Sequence, residues 1–148
     1  MFGNHFIEDY VKAGRKSTPV RELEILASHI NSKIRLRVAE NENTPSNVLE
    51  RLIKDPDSDV RLAAGTNPNT PVDLVFSLAL DEDLSVRHGL AEDPNTPLGL
   101  LKILAQDENA YVSYRAQKTL IALQKQWTKN SEASNIVAFP IINVSAYA

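Results

Sequence analysis

Apolar residues recur along this chain in short clusters with helical internal spacing, and the clusters themselves recur at a longer fixed interval. One cluster places Val48, Leu49, Leu52 and Ile53 on one face of a short segment, with Glu50, Arg51 and Lys54 on the other. The same stripe returns as Leu74, Val75, Leu78 and Ala79, and again as Leu100, Leu101, Leu104 and Ala105. Apolar positions three and four apart line one side of an α-helix, so each cluster predicts a short amphipathic helix. A second stripe follows each of the first two: Val60 with Ala63 and Ala64, then Val86 with Leu90. Small residues in these second helices (Ala63, Ala64, Gly65, Gly89, Ala91) allow close helix approach, because the side chains at a contact set the interaxial distance.

The longer interval is 26 residues. Thr18, Thr44, Thr70 and Thr96 are each followed by proline, at Pro19, Pro45, Pro71 and Pro97. In the same register stand Leu26, Leu52, Leu78 and Leu104, then His29, Asp55, Asp81 and Asp107. Next come Ile34, Val60, Val86 and Val112, and directly after them Arg35, Arg61, Arg87 and Ser113. Four two-helix units therefore fill residues 18–121. Thr-Pro predicts a helix start: the threonine oxygen accepts from an orphan backbone N–H, and proline in the first turn lacks only a donor that had no partner. Asp57, Asp83 and Asn109 are placed to cap the second helices. Asn67-Pro68-Asn69 then ends one unit before Thr70-Pro71 opens the next. A single unit cannot bury its apolar face but stacked units can, so the pattern predicts an all-α solenoid of four repeats.

The ends depart from the repeat. Residues 1–17, with the stretch FIEDYVKAG, predict an N-terminal capping helix. After the fourth unit the helical pattern runs on to about Trp127, predicting a C-terminal capping extension over 122–129. The tail, 130–148, begins polar like a linker and then carries NIVAFPIINV, apolar enough either to pack back on the repeats or to swap onto a second copy.

Composition narrows the function classes. The length of 148 residues suits one domain, and 43% hydrophobic with 24% charged residues is ordinary for a globular protein. Without cysteine, the chain can form no disulfide, thiolate metal site or cysteine nucleophile. The N-terminus lacks the apolar core of a signal peptide and no apolar run reaches membrane-spanning length, so a soluble cytoplasmic protein with no membrane partner is expected. Net charge is −3, and residues 70–95 set Arg87 alone against six acids. That block argues against a surface tracking a phosphate backbone. There is no Gly-x-Ser-x-Gly and no phosphate-binding or dinucleotide glycine pattern, so neither an enzyme nor a cofactor is expected. His5, His29 and His88 lie in no metal-ligand spacing. The stretch DPDSD at 55–59 imitates a calcium loop, but Val60 and Thr66 stand where glycine and glutamate are required.

The unit TPxxxLxxLAxDxxxxVRxxxAxxPN resembles the leucine-rich repeat variant family, bacterial helical repeats distantly like HEAT and armadillo repeats. The copies that carry the likeness best are TPVDLVFSLALDEDLSVRHGLAEDPN and TPSNVLERLIKDPDSDVRLAAGTNPN. The likeness spans about 70% of the chain. It implies a right-handed superhelix, with one helix of a unit partly 3₁₀, and no shared enzymatic activity. The family's units are often shorter than these. Its best-known relative couples the repeats to a cysteine-rich iron–sulfur segment, a cofactor that does not transfer to a chain without cysteine.

The arginine column Arg35, Arg61 and Arg87 admits two roles, a ladder of cations for a partner or internal ties to the aspartates near the inter-helix turns. The joint repetition of both columns favours the ties. Leu36, Leu62, His88 and Tyr114, one place on, form the other candidate contact line for a partner. Tyr111 and Trp127 are placed either to anchor a partner or to seal the open end of the stack, and sealing is the favoured expectation. The structural repeat positions are Thr44, Pro45, Leu52, Asp55, Val60, Thr70, Pro71, Leu78, Asp81, Val86, Thr96, Pro97, Leu104, Asp107 and Val112. The expected function is a non-catalytic scaffold binding a protein or peptide on the repeat surface. The alternatives are a HEAT-like nucleic-acid binder and a protein that self-associates through its tail.

Overall fold

A computed structural model describes residues 3–134, which are helical with no strand among them. The chain divides into two compact units, the first ending at Val86 and the second starting at Arg87.

The first unit opens with α1 (Gly3–Gly14) and continues through α2 (Val20–Leu26), α3 (Ser32–Glu40), α4 (Ser46–Leu52), α5 (Ser58–Thr66) and α6 (Val72–Ser77). A 3₁₀ turn, Leu78–Leu80, prolongs α6, and α7 (Leu84–Glu92) follows. Helix α3 packs against α1 on one side and α5 on the other. Leu23, Ile34, Val38, Val48, Leu49, Leu52 and Val60 are fully or almost fully buried, as the stripes require. Each such side chain contributes about 1.5–3 kcal/mol relative to exposure. Ala63 departs from its stripe: it is only half-buried and faces the outer side of α5.

The second unit contains the rest of α7, then α8 (Leu98–Leu104) and α9 (Ala110–Ser134), with α8 packed on α9. Its core holds Leu90, Leu100, Leu101, Leu104, Val112, Ala116 and Leu120. Helix α9 is 25 residues long, so it fuses the fourth second helix with the expected cap and runs past the predicted end near 129. No proline or glycine interrupts it. The polar stretch expected as linker is therefore helical through Ser134; the rest of the tail, with its apolar segment, lies outside the described residues.

The threonines act differently from the predicted caps. The residue at the N-cap is the proline, and no side chain caps the helix there. Each threonine hydroxyl instead donates backwards, to a carbonyl six residues earlier: Thr18 to Lys12, Thr44 to Val38, Thr70 to Ala64 and Thr96 to Leu90. A hydroxyl is donor as well as acceptor, and here it bonds a carbonyl in the last turn of the preceding helix; those of Lys12, Val38 and Ala64 also accept the N–H three residues on. The second helices are capped as expected, with Asp57, Asp83 and Asn109 accepting from the N–H two residues on.

A further column ties adjacent loops. Asn41 Nδ2 donates to the carbonyls of Ala13 and Arg15, and Asn67 Nδ2 to those of Ala39 and Asn41. In the second unit Thr119 stands in the same column, and its hydroxyl reaches the carbonyl of Ala91 at 2.7 Å. Helix α1 thus occupies the place of a second helix in a half-unit, since Asn41 grips its last turn as Asn67 grips that of α3.

Candidate functional site

The three column arginines sit one residue after a buried branched apolar residue, so each points sideways from the second helix towards the next inter-helix turn. Arg35 forks Asp55, with Nε and Nη2 donating at 2.7 and 2.8 Å. Its Nη1 donates to the carbonyls of His29 and Ile30 at 2.8 and 3.1 Å. Arg61 repeats the arrangement on Asp81, both bonds at 2.8 Å, with Nη1 on the carbonyl of Asp55 at 2.8 Å. Arg87 forks Asp107 at 2.7 and 3.3 Å. Each aspartate lies 20 residues on, in the following repeat unit, and also accepts the N–H two residues further along.

These pairs are largely closed to solvent: the Arg61 side chain is 11% exposed and that of Asp81 6%. The Arg61 guanidinium holds the Asp81 carboxyl below its ordinary value against the opposing effect of burial. At Asp107 burial pushes the carboxyl up, but the Arg87 fork and the Asn109 N–H outweigh it and the net shift is downward. The Asp57 carboxyl is also lowered, first by the Ser32 hydroxyl. The carboxylate-facing edges of these guanidiniums are thus occupied, and a partner could use them only by displacing buried aspartates.

The neighbouring column stands apart from these pairs. Leu36 and Leu62 are half-buried and line an open groove of about 510 Å³ between α3 and α5. Ala63 and Pro68 complete its apolar floor, and its charged lining is Glu40, Glu42 and Asp59. Glu40 pairs with Arg37 at 2.7 Å, and Glu42 with Lys16 at 2.8 Å. In the second unit His88 is half-buried, while Tyr114 is 61% exposed, with Lys118 Nζ 5.2 Å from its ring centre. A smaller groove there, about 240 Å³, is lined by Glu92, Arg115, Lys118 and Leu123, and Arg115 bonds Glu92. The sequence reading singled out Leu36 and Leu62 but missed the acids beside them. Glu40 and Thr66 are equivalent positions one unit apart, as are Glu42 and Pro68, so no repeating column marked them.

The remaining aromatic and histidine positions are also placed. Tyr111 is 75% exposed and seals nothing, because its equivalents Lys33, Asp59 and Ser85 all lie on the outer side of the second helix. Trp127, 46% exposed, lines a cavity of about 260 Å³ with Leu98 and Leu123. His29 takes the aspartate's part at the first turn, its Nδ1 accepting from the N–H of Asn31 at 2.9 Å. Its Nε2 faces Asp9 at 3.9 Å. Position 9 is the arginine column continued into α1, so this rung keeps its place with the acid and base exchanged. Among the described residues no helix is long and apolar enough to cross a membrane, and no three His, Asp or Glu side chains are grouped to hold a metal ion.

Compared with protein families, curated proteins and solved structures, the chain has no match in any of the three.

Proposed function

We propose that this protein is a non-catalytic scaffold of the leucine-rich repeat variant kind, a right-handed solenoid of four 26-residue units working in the cytoplasm. It binds a protein or peptide partner along its second helices. The observation that carries the reading is the contrast between adjacent columns. The arginines are bound to aspartates of the following unit, whereas Leu36 and Leu62, one residue on, line an open groove. Half-exposed aliphatic side chains on the floor of an open groove are what a partner's apolar side chains can fill. The repeated loop and rung bonds support the solenoid, since each links one unit to the next in the same register.

Leu36→Glu/Leu62→Glu tests the reading. Used as bait beside the natural sequence in a lysate of the source cells, it should lose the partner that the natural sequence retains, with the melting temperature little changed. Equal retention by both would contradict it.

A further inference from the structure

We infer that the groove between α3 and α5 takes an extended peptide segment in which apolar side chains alternate with lysine or arginine; this rests on the scaffold reading above. The groove has an apolar floor of Leu36, Leu62, Ala63 and Pro68, and every charged residue lining it is acidic. Three carboxylates come from two different repeat units: Glu40 and Glu42 from one side, Asp59 from the first turn of α5 on the other. Glu40 lies four residues after Leu36 on α3 and Asp59 three residues before Leu62 on α5, so each helix that supplies a floor leucine also supplies an exposed carboxylate.

The cations already nearby do not close the site. Lys16 and Glu42 are 79% and 61% exposed, and so solvated a pair exchanges partners at little cost. Arg37 holds Glu40 while its guanidinium also lies 5.3 Å from the Tyr10 ring centre on α1, a contact it keeps when Glu40 turns to a ligand. Asp59 is exposed and forms no salt bridge among the described residues. The arginines that would have recognised an acidic segment are held by Asp55 and Asp81. Charge complementarity therefore selects a basic segment and repels an acidic one. An extended strand rises about 3.3 Å per residue and turns successive side chains to opposite faces, so the apolar set can lie on the floor while the long, flexible lysine or arginine chains bend back to the exposed carboxylates.

Three labelled peptides of about nine residues, roughly 30 Å when extended, test this: alternating Lys and Leu, alternating Glu and Leu, and alternating Ser and Leu. The Lys/Leu peptide should bind saturably at low salt, at least about 10-fold tighter than the other two, and weaken as salt is raised. Asp59→Lys with Glu42→Lys should lower its affinity about 10-fold or more, and Leu62→Glu should abolish the apolar seat. If the Glu/Leu or Ser/Leu peptide binds equally well and Leu62→Glu removes it, the charge preference is overturned while the scaffold reading stands. If the Lys/Leu peptide binds but neither variant affects it, the groove is not its site and the inference falls. If none of the three binds, the inference and the peptide-binding form of the scaffold reading both fall.

Discussion

Arg61 donates to two oxygens of Asp81 and to backbone carbonyls at the preceding turn, joining a helix, its own turn and the next unit through one side chain. Magnitudes say what this tie contributes. Removing one partner from a buried ion pair leaves an uncompensated charge and costs about 3–5 kcal/mol, whereas replacing both by apolar groups is often neutral. Asp81→Ala should therefore destabilise by about 3 kcal/mol in urea denaturation, and Arg61→Met/Asp81→Leu by much less than either single change. On these magnitudes the burial of leucines, rather than the rung, supplies most of the stability. Acid provides an independent check. Asp81 and Asp107 have folded values below their unfolded ones. Their contribution is therefore complete above the ordinary carboxylate value of about 4 and is lost as pH falls through the lower folded value. The melting temperature should drop across that acid window, and Asp81→Asn should flatten the drop. That arginine and aspartate columns repeat together was legible in the sequence. The choice of the aspartate 20 residues on was not, because several carboxylates lay within reach and only packing selects among them.

At the scale of the element, the helix starts and apolar faces were legible, since periodicity and proline act locally. The bonding of the threonines was not: a hydroxyl has no preferred direction until the preceding helix ends within reach of it. The length of α9 was underestimated for a related reason, because its second half has no repeat to be compared with. Helix α1 carries the clearest test at this scale. Asn41 grips its last turn in the repeating manner, but its rung joins Asp9 to His29 at 3.9 Å rather than arginine to aspartate. Asp9→Arg with His29→Asp would install the arrangement found at Arg35 and Asp55. The double variant should melt higher than the natural sequence by a few degrees, about 1 kcal/mol. Each single change should fail to do so, since Asp9→Arg faces a histidine beside Arg35 and His29→Asp faces a carboxylate. A double variant that melts lower would show that α1 does not continue the arginine ladder.

The proposed binding surface depends on residues that come together only when several units fold. The candidate line Leu36 and Leu62 was visible as a column, but the charge of the groove was not, because Glu40, Glu42 and Asp59 belong to different columns and different units. On the proposed reading, adjacent positions along α5 therefore have separate tasks, Arg61 in tying one turn to the next and Leu62 in recognition. The most direct measurement compares Arg61→Ala and Leu62→Glu with the natural sequence by thermal denaturation and by titration with the Lys/Leu peptide. Arg61→Ala should lower the melting temperature by about 10 °C, from a loss of roughly 3 kcal/mol, yet still bind the peptide well below its melting point. Leu62→Glu should melt close to the natural sequence and no longer bind. An Arg61→Ala protein of unchanged stability that has lost binding would contradict this division and make the arginine column the recognition surface.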